Sequence, residues 1–149
     1  MSRFFEEFEV AAVYPTYCRT VTEGEIAMFC SFVGYHVPLF IDEEYAKTTS
    51  YGGRIAPSSF TMSISTGMTE GLYRNSVVAL LAVENGRFLH PVRAGDTIRT
   101  EVEVVEKKPT SSSEHGLIVF RDHVYNQRNE KVFQIDKVTL IRKQPVALA

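Results

Sequence analysis

PSSFTMSISTGMTEGLYR, residues 57–74, is the stretch on which the fold turns. Pro57 suits the first helical position, where its missing N–H costs nothing. Phe60, Ile64, Met68 and Leu72 recur every four residues, and Ser59, Ser63, Gly67 and Gly71 recur at the same spacing on an adjoining face. A mid-helix glycine costs about 1 kcal/mol against alanine. Close approach of the helix to another backbone is the simplest compensation. The pattern predicts one long helix packed against a sheet, with its small face inward.

The chain beyond this helix supplies the sheet. VVALLAV (77–83) is a continuous apolar run, which predicts a strand covered on both faces, and TIRTEVEVVEKK (97–108) alternates polar and apolar residues. GLIVFRDHVYNQ (116–127) and KVFQIDKVTLIRK (131–143) complete the set, separated by the turn-rich PTSSSEHG and QRNE. Upstream, a short strand is expected over Phe8 to Val13. In TVTEGEIAMFCSFVG (20–34), Thr22 and Glu25 have capping-box spacing, and Ile26, Phe29, Cys30 and Val33 form one apolar stripe. Gly34 is placed to end that helix, and Asp42 to cap a second one through EEYAKTT. A buried helix followed by antiparallel strands reads as α+β, one sheet wrapped on one helix.

A chain of 149 residues with 44% hydrophobic and 23% charged content is sized and composed as one globular domain, residues 1–149. The net charge of -2, without a Lys/Arg cluster, argues against a nucleic-acid partner. No apolar run reaches the roughly 20 residues that span a bilayer, and acidic residues interrupt MSRFFEEFEV before a signal-peptide core could form. Cys18 and Cys30 match no metal-ligand or redox spacing, and Cys30 lies on the core-facing stripe. The expected setting is the cytoplasm, with no membrane partner, no metal and no cofactor. His90, His115 and His123 are scattered, without ligand spacing to a carboxylate or cysteine, and Asp96 follows Gly95 where local turn bonding explains it.

One ordered set of motifs carries further meaning. G-x-x-x-P-L (34–39), IDEEYA (41–46), GGRIA (52–56), the helix and RFLHPVRAGDTIRTEVEVVEK (87–107) succeed one another over roughly residues 10 to 142. Together they resemble a MaoC-type dehydratase or (R)-specific enoyl-CoA hydratase of the hotdog fold. The resemblance implies a hotdog homodimer that hydrates a trans-2-enoyl thioester or dehydrates the 3-hydroxyacyl form, on coenzyme A or a carrier protein. It also implies a loop of the form G-D-x-N-P-L-H, whose Asp and His activate water, and backbone amides at the start of the buried helix that receive the thioester carbonyl.

The loop here reads Gly34-Tyr35-His36-Val37-Pro38-Leu39-Phe40. Tyr35 stands at the family's Asp position, Val37 at its Asn and Phe40 at its His; the helix start is Ala56-Pro57-Ser58 where the family often has Ala-His-Gly. A general base works best with a pKa near the working pH, whereas an ordinary tyrosine titrates near 10. Phenylalanine neither takes nor gives a proton. The favoured reading is that Tyr35, Val37 and Phe40 fill the pocket with apolar bulk; Tyr35 as an acid and His36 as a substitute base are the alternatives. The amides of Ser58 and Ser59 keep the electrophilic role, since free N–H groups at a helix start favour developing negative charge. Arg54 and Arg87 are candidates for the phosphates of the thioester carrier, against a reading as solvated surface. Three functions are then open: a divergent hydro-lyase using Tyr35 or His36, a non-catalytic thioester-binding subunit beside an active hotdog partner, and a hotdog thioesterase. The last lacks its usual helix carboxylate, Glu70 being near the far end.

Overall fold

The capping box closes as read. Thr22 Oγ1 accepts the Glu25 N–H at 3.3 Å, and Glu25 Oε2 accepts the Thr22 N–H at 2.9 Å. Between them they open helix α1, Glu23–Val33, in a computed structural model that describes residues 2–145. Gly34 ends the helix at φ 67°, a left-handed conformation that a side chain would oppose. Pro38 begins the short helix α2 (Pro38–Ile41), and Asp42 Oδ1 accepts the Tyr45 N–H at 3.0 Å to cap α3 (Glu43–Lys47).

The stretch expected as one helix is two. Helix α4 spans Ser58–Met68 and α5 spans Glu70–Tyr73, with Thr69 between them. Pro57 is the N-cap residue, one position before its expected place. The break has a cause in the interior. The Thr69 hydroxyl contacts Thr66 O at 2.8 Å and Tyr73 Oη at 2.6 Å, and the Lys137 ammonium donates to both hydroxyls at 3.1 Å. A buried cation at the C-terminal end of α4 also meets the negative end of its dipole.

Six strands form the sheet: β1 (Val13–Pro15), β2 (Arg19–Thr20), β3 (Val77–Phe88), β4 (Thr97–Pro109), β5 (His115–Tyr125) and β6 (Lys131–Arg142). The order is β1-β4-β5-β6-β3, antiparallel throughout, with β2 also on β4. Along β5 every second residue is buried, from Gly116 to Val124. That face receives α1 and α4: Ile26, Cys30, Phe60 and Met68 pack with Ile98, Val124, Phe133 and Ile135. A second core joins Phe5, Phe8 and Tyr73 to Val102, Phe120 and Ile141. The expected α+β architecture, an antiparallel sheet around a central helix, is what the chain adopts. Among the described residues no helix is long and apolar enough to cross a membrane.

Three further expectations are corrected. The segment before Val13 is not a strand: Phe5–Glu7 is a 3-10 turn, and the first strand begins at Val13. Helix α4 turns Phe60, Thr61, Ser65 and Met68 toward the sheet, while Ser63, Gly67 and Gly71 are exposed and Ser59 is half-buried. A Cβ on Gly67 or Gly71 would meet nothing within 4 Å. The buried face takes Phe60 and Met68 from the bulky stripe together with Thr61 and Ser65, and leaves Ile64 and Leu72 half-buried. VVALLAV, lastly, is not covered on both faces within the chain. Among the described residues strand β3 bonds only to β6, and Leu80 and Leu81, at a register shift in that ladder, are 49% and 55% exposed.

Candidate functional site

The loop from Gly34 to Asp42 is held at both ends by the caps of α1 and α3. Within it the Tyr35 N–H donates to Cys30 O at 2.8 Å and the Phe40 N–H to Val37 O at 2.9 Å. The Tyr35 and Phe40 rings lie 5.1 Å apart, tilted by 59°. Phe40 is half-buried against the core of Ile26, Phe29 and Cys30. Tyr35 and Val37 remain partly open, and the exposed His36 side chain makes no hydrogen bond among the described residues. The two positions where the resemblance places an acid-base pair therefore hold an aromatic contact. Burial pushes the nearby Cys30 thiol above its ordinary value, so it is no ready nucleophile either.

Arg54 supports this frame. Its Nε donates to Glu43 Oε2 at 2.9 Å and its guanidinium pairs with Glu23 at 2.5 Å, tying the starts of α1 and α3 together. The hydrogen bond to Arg54 holds the Glu43 carboxyl below the usual range. Arg54 is thus occupied by carboxylates, and Arg87 bonds back to Gly86 O at 2.8 Å.

Helix α4 begins with donors that have no acceptor. Pro57 offers no side-chain cap, and the amides of Ser58 and Ser59 donate to nothing among the described residues. Ser58 stands in the wall of a cavity of about 140 Å³, with Tyr51, Thr61, Phe88 and His90. Tyr35, His36, Val37 and Phe40 are not part of its wall. A second, apolar groove of about 460 Å³ runs between α1 and α4, with Met28 and Phe32 on one side and Ser63 and Gly67 on the other.

Two contributors escaped sequence reasoning. Arg93 donates to Gly53 O, Arg54 O and Tyr51 O at 3.2, 3.1 and 2.5 Å, and so fixes the approach to α4. His90 reaches the cavity because its backbone is tied to Val132 O. Asp96, by contrast, behaves as a turn residue, accepting the Arg93 N–H at 2.8 Å. His123 faces the other side of the sheet, 2.9 Å from Glu103 and 3.0 Å from Lys131 Nζ.

The MaoC like domain matches residues 8–120, from the core residue Phe8 to the middle of β5. This chain belongs to the MaoC-like dehydratase family. The domain is 36% identical to the X-ray structure named monoamine oxidase regulatory protein from Archaeoglobus fulgius, with a TM-score of 0.88 over 97% of each chain. Mesaconyl-CoA hydratase of Cereibacter sphaeroides is 27% identical over 97% of this chain, which spans 43% of that protein. A conserved hypothetical protein of Mycobacterium tuberculosis with a double hotdog fold superposes at TM-score 0.90, with 21% identity, over 99% of this chain and 46% of its own. The likeness establishes the hotdog fold of this MaoC-like domain.

Proposed function

We propose that this MaoC-like domain is a cytoplasmic, homodimeric hydro-lyase of low turnover, acting on an acyl thioester of coenzyme A or a carrier protein. The observation that carries the reading is the unpaired amides of Ser58 and Ser59 at the start of an 11-residue helix, with Ser58 in the wall of a cavity. Such donors stabilise the oxyanion that forms when a thioester carbonyl is attacked through conjugation. The two cysteines, Cys18 exposed and Cys30 buried, form no disulfide, as suits a reducing compartment. Calorimetric titration with crotonyl-CoA tests the reading: saturable binding supports it, and no binding by well-folded protein rejects it.

The dimer rests on uncovered apolar surface. Val77, Val78, Leu80, Leu81 and Val83 of β3 are 38–55% exposed on an unpaired sheet edge, and Phe32 beside α4 is 90% exposed. A surface of this kind marks an association site. A second copy of the chain would cover β3 and bring the small face of α4 against a partner. The expected mass in sedimentation at micromolar concentration is that of a dimer; a monomer contradicts the assignment. Gly67→Leu has open space in the single chain, so it should leave folding intact and weaken association about tenfold or more by overpacking the partner contact. An unchanged dimer affinity would place that face outside the interface.

The same exposed edge also suits a non-catalytic subunit paired with a second hotdog chain. Co-elution with such a chain, and monomer alone, is the result that favours it. Thioesterase chemistry has less support, because the Glu70 carboxylate is paired with Arg74 and lies at the distal end of the helical segment.

A further inference from the structure

A larger cavity, of about 480 Å³, opens at the other end of the helical segment, where α5 meets β1 and β4. Sites for small molecules run from about 300 to 1,000 Å³. Its floor is apolar: Met68 and Val102 are buried, and Val102 pairs with Tyr14 across β1 and β4. Its wall carries one cation. The Arg3 guanidinium lies 4.5 Å from the centre of the Tyr14 ring, and its side chain makes no ion pair or hydrogen bond among the described residues. The backbone holds it there. The Arg3 N–H donates to Leu72 O at 2.9 Å, the Asn75 N–H to Ser2 Oγ at 3.0 Å, and the Ser76 hydroxyl to Arg3 O. Glu70, the one carboxylate in the wall, is taken by Arg74, which donates to both of its oxygens. The hydroxyls of Thr16 and Thr69 are likewise spent within the fold, on Tyr17 O and the Thr100 N–H, and on Thr66 O, Tyr73 and Lys137. Arg3 is left as the charged donor facing an apolar floor. Gly71 completes the wall, and a Cβ there would meet nothing within 4 Å.

We propose that this cavity is a second small-molecule site, which takes a monocarboxylate with an apolar body, the carboxylate on Arg3 and the body over Met68, Leu72 and Val102. A planar guanidinium matches a carboxylate through two parallel N–H donors. It is also weakly hydrated and stacks on aromatic faces, so the place beside Tyr14 suits it without using up those donors. The charge count selects the ligand class. A phosphoester would bring a second negative charge to a wall that has no second cation. A neutral apolar molecule would cover the guanidinium and leave it unpaired, which is costly. The 11-residue helix α4 is about 16 Å long, which separates this cavity from Ser58 at the far end. The assignment is therefore independent of the thioester reading.

The test is calorimetric titration of the full chain with hexanoate and phenylacetate, each beside its neutral amide, in wild type, Arg3→Gln, Gly71→Leu and Gly67→Leu. Wild type should bind at least one acid saturably, and the matching amide about tenfold or more weakly. Arg3→Gln should lose about tenfold or more toward the acid and keep its affinity for the amide within about twofold. Gly71→Leu should abolish binding of the acid. Its melting temperature should match or exceed that of wild type, because leucine is the better helix former and finds open space. Gly67→Leu, which alters the groove between α1 and α4, should bind the acid as wild type does. No saturable binding of either acid by folded wild type overturns the assignment, as does equal affinity for acid and amide. Binding that Arg3→Gln and Gly71→Leu both leave intact also overturns it. Competition between the acid and crotonyl-CoA would place the acid in the thioester cavity instead, which rejects the second site and leaves the thioester reading standing.

Discussion

Replacing Lys137 by methionine should cost about 3–5 kcal/mol of folding stability, the largest loss expected from any single substitution in this chain. Lys137 is 2% exposed and its Nζ stands 2.6 Å from Oδ2 of the fully buried Asp122. The approach is a charge contact without hydrogen-bond alignment, and Asp122 Oδ1 has no donor among the described residues. Burial holds the Asp122 carboxyl above the usual carboxylate range despite the nearby ammonium. For Lys137, burial pulls downward, but the Asp122 charge and Tyr73 hold it above its ordinary value. Without the ammonium, a carboxylate between Phe120 and Val124 loses its counter-charge, and the Thr69–Tyr73 contact loses its donor. Lys137→Met combined with Asp122→Leu should recover most of the loss, because a buried pair replaced whole by apolar groups is often close to neutral. Urea unfolding of the single and double variants is the measurement. A single variant costing under about 1 kcal/mol would contradict this account of the interior.

The second large effect concerns the loop. Tyr35→Asp, Val37→Asn and Phe40→His together should raise crotonyl-CoA hydration by about 10²-fold or more, the usual worth of one positioned acid-base group. The frame for such a pair is intact. Gly34 still ends α1, Pro38 still starts α2 and Asp42 still caps α3. The difference is chemical, since the Tyr35 and Phe40 rings contact one another where two proton-transfer groups would stand. Phe40 is half-buried, so the imidazole enters a partly apolar setting, and the variant is expected to lose some stability while gaining rate.

Local signals in the sequence were legible where both partners sit within a few residues. The Thr22–Glu25 box, the Gly34 turn, the Asp42 cap and the burial of Cys30 all arise from neighbours in the chain. The break at Thr69 was not, because its cause, Lys137, lies on another strand. The apolar run of β3 reads the same whether helices or a second chain cover it, so its exposure within one chain had no local signature. The small-residue stripe of α4 was read as facing the sheet, whereas its Ser63, Gly67 and Gly71 are exposed and a Cβ on either glycine would meet nothing within 4 Å. At the site, the loop exchanges were visible by position, while His90 was one histidine among several. Only the backbone bonds to Val132 bring it to the cavity beside Ser58 and Thr61. Arg93 was hidden for the same reason, its three carbonyl acceptors being about forty residues away in sequence.

The central claim is that this MaoC-like domain keeps the thioester-binding frame and has lost the loop's acid-base pair. The most direct test monitors enoyl-thioester absorbance during crotonyl-CoA hydration, with wild type, the triple loop variant, Tyr35→Phe and His36→Ala side by side. The account predicts slow wild-type turnover, little change in Tyr35→Phe and His36→Ala, and a gain of about 10²-fold or more in the triple variant. Fast wild-type turnover that Tyr35→Phe or His36→Ala abolishes would contradict it.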